Sequence, residues 1–366
     1  MTTRRTVLKL SAALLSLPAL ARAQAPGERA ARPLNILFLG GTGFLGPHQV
    51  EYALARGHKV TLFNRGKSGP ALFGGRAEVL LGNRDAKIEP GLSALQGSRR
   101  WDVVIDNSGY LPRHVRDSVE LLKARCSRYL YVSTLSVYNT AGHAMVDENS
   151  PLYAAPDAAV EKVTDETYGP LKAECDRIVQ ALGKQATIVR PTYVVGPGDD
   201  TDRFTYWVER TARGGEVLGP PDPKVELQVV DARDVCTWMV DLAERDQPGI
   251  FNACGPAAAA SFEQILQEIA KIAPKPVQFR WATWEVLKKA GVDLPLVGTD
   301  AAAFAESVHF ANAAAQAAGL RFRPLADTAA GTLAWWAALP AERRAKPERW
   351  PTREQEQAAL QMLASA

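Results

Sequence analysis

A doubly wound parallel α/β sheet with a smaller C-terminal lobe is the fold class the sequence predicts, and three observations predict it. Strand-like apolar runs alternate with helical patterns from Asn35 onward, the signature of parallel strands joined by crossover helices. The first run, Ile36-Leu37-Phe38-Leu39, passes directly into the glycine-rich turn Gly40-Gly41-Thr42-Gly43-Phe44-Leu45-Gly46 and then into an amphipathic stretch. From about Gly196 the texture changes, with proline and glycine frequent up to Pro223 and helix patterns mixed with isolated strands beyond. The 366 residues, 46% of them hydrophobic, suffice for one large core or two smaller ones, and no internal repeat is evident.

At the N-terminus, Thr3-Arg4-Arg5-Thr6-Val7-Leu8-Lys9 precedes an apolar run from Leu10 to Leu20 and ends in Ala21-Arg22-Ala23. This pattern predicts a twin-arginine signal peptide over residues 1–23, export by the twin-arginine machinery, and a periplasmic protein. A membrane-anchoring helix is the alternative, but about a dozen apolar residues cannot cross a hydrocarbon core of roughly 30 Å, so no stable membrane insertion is expected after cleavage. The segment carries Arg4, Arg5, Lys9 and Arg22 with no acid, and its removal changes the formal charge from +3 to −1. A chain this close to neutral, with no basic block interleaved with aromatics, is not expected to bind nucleic acid. The widely spaced Cys126, Cys175, Cys236 and Cys254 form no CxxC pair and are expected as buried thiols, and the five histidines show no metal-ligand spacing.

Residues 24–33 form a linker, followed by a nucleotide-binding region over 34–195, a substrate lobe over 196–345 with segments returning to the core, and a tail over 346–366. Strands are predicted at Asn35–Gly40, Lys59–Asn64, Glu78–Leu81, Val103–Asp106, Tyr129–Ser133 and Ala186–Arg190, with helices at Phe44–Arg56, Arg113–Arg125 and Tyr168–Leu182. In the lobe, strands are expected at Glu226–Val230 and Gly249–Asn252 and helices at Ser261–Ile272, Trp284–Ala290 and Asp327–Ala338. Trp281, Trp284, Trp335 and Trp336 are expected to anchor packing of these helices rather than to stack on a ligand.

The glycine turn is suited to a pyrophosphate. Gly40 permits the tight turn, Gly43 lets the backbone approach the phosphates, Gly46 lets helix pack on strand, and the helix N-terminus offers unpaired N–H groups to the anion. Downstream, Tyr168-Gly169-Pro170-Leu171-Lys172 places a tyrosine and a lysine one helical turn apart on one face. A tyrosine is a poor base at neutral pH, and a neighbouring ammonium can lower its pKa while also holding a ribose. Chance can place such a pair on any helix.

The order of motifs from about 35 to 255 resembles that of the extended short-chain dehydrogenase/reductases of the NAD-dependent epimerase/dehydratase type. The resemblance rests on Gly40–Gly46, Asp106-Asn107-Ser108-Gly109, Val132-Ser133-Thr134-Leu135-Ser136-Val137-Tyr138, Tyr168/Lys172 and Arg190-Pro191-Thr192-Tyr193-Val194-Val195-Gly196-Pro197. It implies a Rossmann-type domain in which Tyr168, Lys172 and Thr134 are catalytic, with Ser133 and Ser136 as rivals of Thr134 for the substrate oxygen. It further implies cofactor contacts from Gly40, Thr42, Gly43, Phe44, Leu45, Gly46, Asn107, Ser108, Lys172 and Pro191, and substrate contacts from Thr134, Ser136 and Arg203. Asp231-Ala232-Arg233-Asp234-Val235 matches a short family segment whose acid is structural, and the set is most similar to an atypical branch that includes plastid RNA-binding relatives.

Cofactor choice turns on the end of the second strand, where a carboxylate binds the ribose of NAD and repels the phosphate of NADP. Here Asn64 is followed by Arg65 and Lys67, which favours NADP over NAD, unless those cations merely solvate a loop. Asp85 stands where the family often contacts the adenine, although Gly82-Asn83-Arg84 departs from the usual Gly-Asp. Arg203 is suited to a phosphate, carboxylate or sugar hydroxyl, or else pairs with Asp199, Asp200 or Asp202. The expected activity is an NAD(P)-dependent oxidoreductase or epimerase acting on a secondary alcohol or ketone of a sugar-like molecule, with a homodimer as the expected assembly. The alternatives are a nucleic-acid-binding protein and a nucleotide-bound protein without turnover.

Overall fold

The computed structural model describes residues 29–67, 72–297, 308–348 and 350–365, so the expected signal peptide lies outside the described residues. Strands β1 (Asn35–Leu39), β2 (Lys59–Asn64), β3 (Glu78–Leu81), β4 (Trp101–Asp106) and β5 (Cys126–Val132) come first in the chain. A short β6 (Met145–Val146), then β7 (Ala186–Pro191), β8 (Tyr193–Val195), β9 (Gly215–Gly219), β10 (Val229–Asp231) and β11 (Gly249–Ala253) follow. The central sheet has seven parallel strands in the order β11-β7-β5-β4-β1-β2-β3. The chain reverses its direction of winding between β1 and β4, so a crevice opens beyond the carboxyl ends of those two strands, where open α/β sheets bind their ligands.

Alternation along the strands builds two cores. Ile36, Phe38, Val103, Ile105, Leu130 and Val132 face one side of the sheet, and Leu37, Leu39, Val104, Tyr129 and Tyr131 face the other. Helix α1 (Leu45–Ala55) covers the first side together with α5 (Ala232–Glu244), joined by the hydrogen bond from Tyr52 to Asp241 at 3.0 Å. Helices α2 (Pro112–Leu122) and α3 (Asp165–Gln180) cover the second. The Thr164 capping box starts α3, its hydroxyl accepting from the Thr167 N–H and the Thr167 hydroxyl accepting in return from the Thr164 N–H.

A third core forms the smaller lobe, from α4 (Arg203–Ala212), α6 (Phe262–Ala270), α7 (Trp284–Ala290) and the helices Leu325–Ala338 and Arg353–Ala364. Phe204, Trp207, Phe262 and Leu266 are its buried centre. The predicted strand Glu226–Val230 is corrected to Val229–Asp231: Glu226 makes only an isolated bridge to Ser261, because β10 pairs with Tyr193–Val195 and the chain before it does not. The Gln- and Ala-rich segment from Glu354 is helical and docks through the ion pair of Glu356 with Arg210 at 2.7 Å. Trp336 is buried against Trp350, and Trp281 stacks on Phe279. All four cysteines are buried free thiols.

Candidate active site

The glycine turn leaves β1 with Gly40 at φ +107° and Gly41 at φ +89°, values that L side chains rarely adopt. A Cβ on Gly46 would stand 2.2 Å from the Gly41 carbonyl carbon, so the first turn of α1 lies directly on the loop, whereas a Cβ on Gly43 would meet nothing within 4 Å. That open space belongs to a cavity of about 1000 Å³ running from the glycine turn to the start of α3. No side chain caps the N-terminus of α1. Across the crevice, Asn107 donates to Gln49 at 2.6 Å, and its own buried carbonyl oxygen has no partner among the described residues. A turn with room at Gly43, an uncapped helix N-terminus and an unpaired acceptor at Asn107 together fit a dinucleotide.

Beneath this crevice a buried ion pair sets the turn after β4. Arg84 grips Asp106 through both guanidinium nitrogens at 2.9 and 2.7 Å, and Asp106 also accepts from the Tyr129 hydroxyl and the Ser108 N–H. Ser108 Oγ donates to the Leu39 carbonyl at 3.1 Å, which ties the end of β4 to the end of β1.

At the other end of the cavity stand Thr134, Ser136, Tyr168, Lys172, Pro191 and Arg203. The carboxyl ends of β5 and β7 supply Thr134 and Pro191, and α3 supplies Tyr168 and Lys172. Thr134 Oγ1 accepts from the Ser136 N–H and donates to Ser136 Oγ, both at 3.2 Å, which orients the two hydroxyls together. Lys172, 3% exposed, donates to the carbonyls of Gly109 and Val132 at 2.8 Å each and lies 4.2 Å from the centre of the Tyr131 ring. Burial brings its ammonium down to about 8.

Burial pushes the Tyr168 hydroxyl up from its ordinary value, with the Thr134 hydrogen bond opposing, Tyr110 adding to the rise and Arg203 drawing it down. The two backbone carbonyls hold the Lys172 ammonium beside the Tyr110 and Tyr131 rings.

The expected adenine end is assembled differently. Thr42, Asn64, Arg65, Lys67 and Asp85 do not line the cavity. Asn64 turns its carbonyl oxygen to the Gly66 N–H at 2.8 Å, and Arg65 and Lys67 are exposed. Asp85 is taken by Arg113 at 2.7 and 3.1 Å, and this interaction, with the Lys87 N–H, holds its carboxyl well below the usual range. Arg203 makes none of the ion pairs that the sequence allowed: Nε donates to Thr201 Oγ1 at 3.0 Å and the guanidinium lies over the Tyr193 ring at 5.0 Å. Asp202 is held instead by Arg343, and Asp231 caps α5 while pairing with Arg233, a structural part as expected.

Tyr110, Tyr153, Tyr193, Asp199 and Asp200 also line the cavity and were not singled out individually as site residues by sequence reasoning. Tyr193 lies inside the Arg190–Pro197 motif, Asp199 and Asp200 just after it, and Tyr110 directly after Asp106-Asn107-Ser108-Gly109, which was the available signal; nothing local marks Tyr153. Among the described residues no cluster of His, Cys, Asp or Glu is placed to hold a metal.

Sheet order and glycine turn define a Rossmann-type α/β protein. Residues 94–254 match the model of the NAD dependent epimerase/dehydratase family. The chain is also similar to the chloroplast stem-loop binding protein of 41 kDa b of Arabidopsis thaliana, 26% identical over 240 residues. That match covers 60% of this chain and 58% of the relative, less than two thirds of its length. Among solved structures, UDP-glucuronic acid 4-epimerase from Bacillus cereus in complex with NAD superposes with a TM-score of 0.60 at 16% identity, over 83% of this chain and 99% of that one. The Bordetella bronchiseptica enzyme WbmG in complex with NAD and UDP gives 0.59 at 17% identity, over 84% and 95%. At such identities these two structures speak for the fold.

Proposed function

We propose that the protein is an NAD(P)-dependent oxidoreductase or epimerase acting on a secondary alcohol or ketone of a sugar-like molecule. The observation that carries this reading is that Tyr168, Thr134 and Lys172 open onto the same cavity as the glycine turn. A bound nicotinamide dinucleotide would supply the hydride acceptor and donor. Gly43 and the N-terminus of α1 would hold its phosphates, and Asn107 and Ser108 would flank it. Lys172 spends two of its ammonium protons on Gly109 and Val132, leaving one for a ribose hydroxyl. Tyr168 gives a proton to the substrate oxygen or takes one from it, and Thr134, oriented by Ser136, donates to the same oxygen. Burial holds the Tyr168 hydroxyl above its ordinary value, and the Thr134 hydrogen bond and the Arg203 charge work against that rise, towards the phenolate required for alcohol oxidation.

The cofactor reading is NADP in preference to NAD, supported by Asn64, Arg65 and Lys67, with no carboxylate on β2's last residue. The NAD complexes of solved neighbours weigh the other way. Direct titration of emptied protein with both nucleotides decides it; tighter NAD binding removes the role given to Arg65. Twin-arginine export to the periplasm belongs to the same proposal, supported by Arg4-Arg5 and Ala21-Arg22-Ala23. That route carries folded protein, so the dinucleotide travels bound and is regenerated within each cycle, by return of the hydride to the same substrate or transfer to a second one. Purification of processed protein, nucleotide counted per chain and absorbance followed during turnover test this, and strict dependence on added stoichiometric cofactor defeats it.

A further inference from the structure

Past Tyr168 the cavity is walled by aromatic rings and carboxylates. Tyr110 lies 6.5 Å from the Tyr168 ring, and Tyr153 and Tyr193 carry the wall outward. Four acids line it, Asp165, Glu166, Asp199 and Asp200, against two cations, Lys172 and Arg203. Lys172 is committed to two backbone carbonyls at the sheet, which leaves Arg203 as the cation of the substrate side among the described residues. Residues 298–307, outside the described set, contain no lysine or arginine.

We propose that this subsite takes an uncharged, polyhydroxylated compound of monosaccharide size and excludes nucleoside-diphosphate sugars. The proposal rests on the oxidoreductase reading above and names the substrate class for it. A diphosphate brings at least two negative charges, and sites that bind one surround it with arginines, lysines or a free helix N-terminus. The N-terminus of α4 does open here, at Arg203, with no side chain capping it, but Asp199 and Asp200 line the cavity beside it and set acidic groups against a diphosphate. The Thr164 hydroxyl donates to Glu166 at 2.6 Å and holds its carboxyl below the usual range, so the mouth is negative there at neutral pH. For vicinal hydroxyls the same groups are complementary: carboxylates accept, Arg203 donates through nitrogens that no described side chain occupies, and tyrosine faces cover the apolar side of a sugar ring.

The test is calorimetric titration of the dinucleotide-loaded full chain with UDP, UDP-glucose and a set of free aldohexoses, aldopentoses and inositols. The expected result is no saturable binding of UDP or UDP-glucose up to about 1 mM and saturable binding of at least one uncharged compound, weakened about tenfold by Arg203→Ala. Asp165→Asn with Glu166→Gln should strengthen whatever weak UDP binding exists. Micromolar binding of UDP or UDP-glucose, or no binding by any uncharged compound, overturns the proposal. A sugar that binds with no Tyr168-dependent change in nicotinamide absorbance leaves the substrate class standing and removes the oxidoreductase reading instead.

Discussion

Tyr168 and Lys172 occupy one helix face yet do different work. Tyr168→Phe deletes a hydroxyl and little else, so turnover should fall by roughly 10²-fold or more while dinucleotide affinity stays within a few-fold. Activity near that of the parent, in the same steady-state assay, would take the residue out of the mechanism. Lys172 carries a stability cost. Its folded pKa of about 8 lies below the 10.5 of the free side chain, so burial of the charged form penalises the fold at every pH below 8. Between 8 and 10.5 the unfolded chain binds more protons and stability rises with pH, the full penalty being roughly 3 kcal/mol. Lys172→Met should therefore abolish cofactor retention yet raise the urea midpoint of the ligand-free protein at pH 7 by the equivalent of ~1–2 kcal/mol, less than the full penalty because two carbonyls lose their donor. That advantage should shrink as the measurement moves towards pH 10. The spacing of the pair was legible in the sequence; the direction in which the ammonium points was not, since it depends on where Gly109 and Val132 present their carbonyls.

For the glycine turn, two substitutions three residues apart should behave differently. Gly43→Val adds a side chain to open space, so the protein should fold with an unchanged melting temperature and lose dinucleotide binding in fluorescence titration. Gly46→Ala drives a methyl group into the Gly41 backbone and should lower stability by roughly 1–3 kcal/mol or more, visible in denaturant unfolding before any ligand is added. Most strands and helices of the sheet were legible because their periodicities are strong: Lys59–Asn64 and Glu78–Leu81 fall where the alternation and turn residues put them. Helices α4 and α5 were not foreseen. Arg203–Ala212 is rich in aromatic and β-branched residues of modest helix propensity, and it is helical because Phe204, Trp207 and Val208 find a core to enter.

Across the whole molecule, the lobe and the sheet domain meet at the cavity, and the last helix holds the lobe together. Arg210 and Glu356 pair with side chains about 10% exposed each, and Arg210 also donates to the carbonyls of Gly214 and Glu216. Glu356→Ala leaves a buried guanidinium without its carboxylate and should cost roughly 3–5 kcal/mol, read as a fall in the denaturation midpoint. Glu356→Gln should cost less because its amide oxygen can still accept from Arg210. The balance of charges in the cavity also belongs to this scale, because Asp165 and Glu166 come from α3, Asp199 and Asp200 from the chain between β8 and α4, and Arg203 from the first turn of α4.

What the sequence determined by itself is local or periodic: the parallel sheet, the glycine turn, and a tyrosine and lysine one turn apart on a helix. These follow from side-chain alternation and from the backbone freedom of glycine, which neighbouring residues alone dictate. Only the tertiary structure decided which side chains share a cavity and which are spent elsewhere. Asp85 looked available and is consumed by Arg113, Arg203 looked ready to pair with nearby acids and instead lies over Tyr193, and Asp106 is satisfied by Arg84 from another strand's loop. Charged groups find partners by proximity in space, and in a doubly wound sheet that proximity is set by strand order rather than by separation along the chain.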